Sequence, residues 1–175
     1  MINKNELLFV VDENNKAQKS LPRYLVHQNN FWHRTTAIWV VNNKKQILCQ
    51  KRSLQKDTKP GFWECFFGGH IGPHESYLDN AINELSQELG IFVQKQDLLP
   101  YNVLKSDKST HKEFQYIYIY KLNREDTYFS YEKEEIDQLK WIDIKTIKKY
   151  LLKENKPDWV HKPWDKKILL WIENL

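Results

Sequence analysis

The sequence has little of what braces an extracellular fold: 175 residues carry two cysteines, Cys49 and Cys65. A single pair is too few for a disulfide framework and points to a reducing compartment. Long apolar runs are missing too. Nothing approaches the roughly eighteen residues a membrane span needs, and Met1-Ile2-Asn3-Lys4-Asn5-Glu6 lacks the apolar core of a secretory leader, so the protein is expected in the cytoplasm. Neither charge sign dominates. The 27 Lys and Arg against 23 Asp and Glu leave a formal +4, and lysines scattered along a chain describe a solvated surface rather than a nucleic-acid face. No repeat, low-complexity segment or domain linker stands out. What is plentiful is large apolar surface: seven Trp, nine Tyr and eight Phe supply the core of one domain and exclude disorder over most of the length.

Along the chain, Leu7-Leu8-Phe9-Val10-Val11 reads as a strand followed by turn chemistry at Asp12-Glu13-Asn14-Asn15-Lys16. The β-branched and apolar runs Thr36–Val41 and Gln46–Lys51 flank Asn42-Asn43-Lys44-Lys45 and predict an antiparallel hairpin. Arg52 to Pro60 reads as a loop, and Phe62–Phe67 as a strand halted by Gly68-Gly69. Leu78, Ala81, Ile82, Leu85 and Leu89 recur at helical spacing, with Ser76 and Asp79 suited to an N-terminal cap and Gly90 to a left-handed stop. Glu113 to Lys121 alternates as a long strand, with Phe114, Tyr116, Tyr118 and Tyr120 on one face for sheet packing. A last strand near Leu139–Ile142 and helices at Ile144–Leu152 and Trp164–Leu175 complete the pattern.

The chemistry concentrates between Gly69 and Ile91. Residues four apart on a helix lie about 40° from each other, so Glu84 and Glu88 project from one face with Gln87 beside them. Such like charges repel, and a hard divalent cation held by carboxylate oxygens compensates them, magnesium or manganese being the natural candidates. Taken alone, two glutamates on a helix more often mark a solvated face.

The full spacing resembles the Nudix box: Gly69, Glu75, Asn83-Glu84-Leu85, Gln87-Glu88 and Gly90-Ile91 stand at its intervals. Asn83 occupies the place of an arginine that orients a neighbouring glutamate, and Gln87 the place of a helix carboxylate. The hairpin before the box, Trp63, and Glu135-Ile136 running into Trp141 agree with that family, so the resemblance covers most of the chain. It implies one α/β domain over residues 1–175, an α/β/α sandwich with a mixed sheet, preceded by a strand-hairpin extension to about residue 32. It implies as well a hydrolase that cleaves a diphosphate linkage in a nucleoside diphosphate derivative or similar small molecule, using bound magnesium or manganese. By position, Glu88 is then a principal metal ligand and Glu84 a ligand or general base. Gln87 coordinates through an amide oxygen that adds no charge. Glu113 is a candidate for the missing carboxylate, the alternative being a strand-end surface glutamate, and Lys51 and Arg52 are candidates for gripping phosphate. Substrate selectivity falls to loops outside the box, such as Asn102–Thr110 and Asp126–Glu134.

Within that fold, isopentenyl-diphosphate isomerases use a histidine-rich metal site, and the chain is similar to them at His33, His70 and Glu113. The resemblance makes His33 and His70 metal ligands, with His70 alternatively a substrate-phosphate contact, and Trp159 an aromatic substrate contact that stabilises developing positive charge. His111 would face the same way as Glu113; His27, His74 and His161 carry no separate signal. The cysteine that subgroup places before Gly69 is absent. Gly68 stands there, and strand alternation turns Cys65 to the other face. Besides hydrolysis, two alternatives follow: an isomerase with a different acid, and a module that binds a diphosphate without turning it over.

Overall fold

The computed structural model describes residues 6–56, 58–108, 111–123 and 128–175, so the leader reading at Met1–Asn5 lies outside the described residues. A mixed sheet forms the middle layer. Its central strand is β3 (His33–Asn42), which pairs in parallel with β7 (His111–Leu122) from His33↔Glu113 to Asn42↔Leu122. Beyond β7 lies β6 (Leu98–Lys108), antiparallel. The other edge of β3 is shared. β1 (Leu7–Val11) takes it at Val10↔His33, and β4 (Gln46–Arg52) takes it at Val41↔Ile47. Between them the Phe67–Ile71 segment fills the edge, with Ile38 N–H on Phe67 O at 2.7 Å, Thr36 N–H on Gly69 O at 2.9 Å and Ile71 N–H on Arg34 O at 3.0 Å. The expected hairpin therefore opens after one pair, and β4 carries β5 (Trp63–Glu64) and β8 (Ile136–Asp143).

Each face of the sheet buries its own core. On one, Ile38, Val40, Leu48 and Phe67 pack under α2 (Tyr77–Leu89) through Ala81, Leu85 and Leu89. On the other, Ala37, Trp39, Cys49, Ile117 and Ile119 meet Ile147 of α3 (Ile144–Lys148) and Ile168 and Leu169 of α4 (Asp165–Glu173). This is the expected α/β/α arrangement. Among the described residues no helix is long and apolar enough to cross a membrane.

Several expectations change in detail. Residues 102–108, expected as loop, belong to strand β6, which tolerates Pro100 because the pairing with β7 is irregular between Pro100 and Asn102. Ser109 and Thr110 of that loop, and Asp126 and Thr127 of the other, lie outside the described residues. The strand expected at Phe62–Phe67 is two residues long, and its alternation breaks: Cys65 and Phe66 both face the α4 core, while Phe67 enters the α2 core. The N-terminal extension is woven into the sheet. β1 pairs with β2 (Ala17–Pro22), Phe9 N–H donates to Ile71 O at 2.9 Å, and a short helix, α1 (Arg23–Gln28), follows β2.

Candidate functional site

The α2 glutamates sit where local geometry puts them. Ser76 Oγ accepts the Asp79 N–H at 3.1 Å to cap α2, and Gly90, at φ 68°, ends it. From this helix Glu88 Oε2 accepts the Gly68 N–H at 2.9 Å, and Glu84 lies so close to Gly69 that a Cβ there would overlap its carboxylate. The diglycine thus brings main chain within reach of both acids. Burial, then the Glu75 and Glu6 charges, push the Glu84 carboxyl up to about 7. Burial and the Glu84 charge push Glu88 well above the ordinary carboxylate range. Neither acid belongs to an ion pair among the described residues, and two half-buried, mutually repelling carboxylates suit a divalent cation.

Glu75 leans on the same helix. Its Oε2 accepts from Asn80 Nδ2 at 3.0 Å and from Gly72 N–H at 3.2 Å, and its Oε1 accepts from Asn83 Nδ2 at 3.0 Å. Asn83 therefore bonds the neighbouring glutamate from the position of the family's arginine, without its charge. Gln87 is exposed and its amide makes no hydrogen bond among the described residues.

A second cluster adjoins the first across the Gly69–His70 peptide, where Asn80 Nδ2 also donates to His70 O at 3.1 Å. Here His33 and Glu113 stand opposite each other on β3 and β7, and His27, His70 and His111 close around them. The His33 ring centroid is 5.2, 5.3 and 5.2 Å from those of His27, His70 and His111, and the Nε2 atoms of His27 and His70 lie 3.2 Å apart. His33 Nδ1 faces Phe31 O at 2.9 Å, which fixes that nitrogen as the donor and leaves Nε2 as a lone-pair acceptor. That Nε2 is buried with no hydrogen-bond partner among the described residues. Convergent imidazoles with one such orphan fit a divalent ion of the nitrogen-preferring kind. Burial holds His33 below the ordinary imidazole value and His70 well below it. Glu113 is 3% exposed. Burial pushes its carboxyl upward, but the His111 hydrogen bond and the Lys162 ammonium outweigh burial and hold it well below the ordinary range.

Other expected residues lie outside both clusters. Arg52 donates to Glu64 Oε1 at 2.8 Å and to Thr58, and Lys51 is 3.7 Å from Asp137. Trp159 is buried in the core, stacked on Trp63 with centroids 6.0 Å apart. Conversely, sequence reasoning passed over His27, whose neighbours in the chain give no periodic signal, and Lys56. Lys56 pairs with Glu135, and its charge acts on both Glu84 and Glu88. Glu6, bonded by Arg23 at 2.9 Å, lies 4.0 Å from His70 Nδ1 while its charge reaches Glu84.

Residues 31–164 match the NUDIX domain. An uncharacterized Nudix hydrolase of Clostridium acetobutylicum is 31% identical over 164 residues, which cover 90% of this chain and 78% of that one. The chain belongs to the Nudix family. It is also similar to isopentenyl-diphosphate Delta-isomerase 2 of Photorhabdus laumondii subsp. laumondii, at 27% identity over 94% of this chain and 91% of that one. The crystal structure of DR0079 from Deinococcus radiodurans shares the fold, with a TM-score of 0.72, 17% identity, and coverage of 95% and 99% of the two chains.

Proposed function

We propose that the protein is a metal-dependent hydrolase that cleaves a diphosphate linkage in a nucleoside diphosphate derivative or a similar small diphosphate. One observation carries this reading: Glu84 and Glu88 stand half-buried side by side against a diglycine that leaves room for nothing bulkier. Glu84, Glu88 and Glu75 would hold magnesium or manganese, and the His27, His33, His70, His111 and Glu113 cluster a second divalent ion. Bound there, such ions neutralise phosphate charge and lower the pKa of water.

The remaining roles belong to the chain's own groups. Gly68 N–H fixes one Glu88 oxygen and leaves the other to face the site. Glu84, set against the Gly69 main chain at the same site, would accept the proton of an attacking water. Lys56, whose charge acts on both acids while it rests on Glu135, attracts the diphosphate. Gln87 stays solvated at the rim of the helix, where its amide adds a weak ligand.

The test is release of phosphate or nucleotide from a panel of nucleoside diphosphate derivatives with magnesium or manganese. Loss of at least about a hundredfold in Glu88→Gln is expected; a variant as active as the parent contradicts the mechanism.

The histidine cluster and the isomerase relative favour a second reading, isomerisation of an allylic diphosphate. Position 68 counts against it. Gly68 has φ 137°, and a Cβ there would overlap the carbonyl of Thr36, so this backbone leaves no place for a thiol. Deuterium uptake from solvent into isopentenyl diphosphate would restore that reading. Stabilisation by a diphosphate without turnover under any metal would favour a binding module instead.

A further inference from the structure

Lys162 donates to Glu113 Oε1 at 2.7 Å, while His111 Nε2 and Thr35 Oγ1 face the other oxygen at 3.3 and 3.4 Å. Among the described residues it is the one lysine or arginine ion-paired with Glu113, and nothing in the reaction above uses it. The ammonium is well seated. Its side chain is 18% exposed, and its Nζ lies 5.9 Å from the Phe66 ring centroid and 5.7 Å from that of Trp164. The backbone beneath is anchored as well: Lys162 N–H donates to Asp165 Oδ2 at 2.8 Å, and Val160 N–H to Trp63 O at 2.8 Å.

The charge count around the cluster gives this contact its meaning. Imidazoles ligate a metal in their neutral form and add no charge, the Arg23–Glu6 pair beside His70 carries both signs, Glu113 contributes one negative charge, and Lys162 cancels it. A divalent ion using Glu113 Oε2 therefore shares a single carboxylate charge with an ammonium already bound to Oε1, and the two cations repel in a poorly solvated setting. We propose that Lys162 is a built-in counter-ion that lowers the divalent-metal affinity of the histidine site and keeps the ion there exchangeable. This rests on reading the cluster as a metal site. A purely structural lysine, serving only to anchor the segment before α4, would have the opposite signature, because its removal would loosen Glu113 and weaken binding.

The experiment titrates the metal-free full-length protein with cobalt, followed by visible absorption and calorimetry, for the parent, Lys162→Met, Lys162→Arg and His33→Ala. The His33-dependent absorption isolates the histidine site from the box glutamates. Lys162→Met is expected to bind cobalt at least about tenfold more tightly, with Lys162→Arg within about threefold of the parent. Should Lys162→Met fail to fold, as judged by thermal unfolding, Lys162→Gln carries the same expectation. Unchanged or weaker binding in the charge-removing variant, with His33-dependent absorption intact in the parent, overturns the role of Lys162 alone. Absence of any His33-dependent cobalt signal in every form overturns the metal-site reading beneath it, and the proposal with it.

Discussion

At Gly69 an added methyl group would collide with the Glu84 carboxylate, whereas at Gly68 it would collide with the backbone carbonyl of Thr36. The two clashes have different consequences. Gly69→Ala is expected to displace a flexible side chain, so activity and metal affinity should fall at least about tenfold with little change in stability. Gly68→Cys, which restores the thiol of the isomerases, is strained at φ 137° and is expected to cost about 2–4 kcal/mol in denaturant unfolding without producing an isomerase. Residue identity at these positions was legible in the sequence, and so was the spacing of Glu84 and Glu88. The compensation by Asn83 was not, because an amide bonding Glu75 depends on how the Gly72–Ser76 loop folds back over α2. The titration of Glu84 gives a further expectation. Its folded value of about 7 exceeds its ordinary value of 4.5, so between these pH values the folded state holds the extra proton. The metal-free protein therefore loses stability through this group as pH rises across that window, by up to roughly 3 kcal/mol. His33 and His70, lowered by burial, act in the opposite sense below about 6.5. A divalent ion competes with protons at all of these groups, so the rise in unfolding temperature on adding manganese should be larger at pH 7.5 than at pH 5.5.

Among the elements, α2 was the most legible, because its signals are local: apolar residues at helical spacing, Ser76 as cap and Gly90 as stop. β7 was legible by alternation. β6 was hidden by Pro100 and Asn102, and its pairing comes from the long partner β7 rather than from its own propensity. α1 was hidden for another reason. Six residues are too few to show a period, and Pro22 precedes them, so His27 could not be placed. That omission matters to function, since α1 and the segment before β1 bring His27 and Glu6 to the histidine cluster. Replacing His27 by alanine is accordingly expected to weaken metal binding at that cluster at least about tenfold while leaving the box glutamates able to bind manganese. Calorimetric titration that resolves two classes of site before the substitution and one after it would confirm this division.

For the molecule as a whole, the central strand β3 organises both clusters. One of its edges takes β7, which delivers Glu113 opposite His33; the other takes the diglycine segment, whose far side supports Glu84 and Glu88. The layered α/β/α arrangement was implied by the resemblance to the Nudix box, while the strand and helix patterns supplied its elements. The assembly of the histidine cluster was not legible from those patterns, because it depends on a parallel pairing that sets His33 opposite Glu113 from a strand far along the chain. Anomalous scattering from a crystal soaked with manganese tests the account most directly. The account predicts one peak between Glu84 and Glu88 and another among His33, His111 and Glu113. A data set of adequate occupancy with no peak at either place, or with manganese only on surface carboxylates, would contradict it.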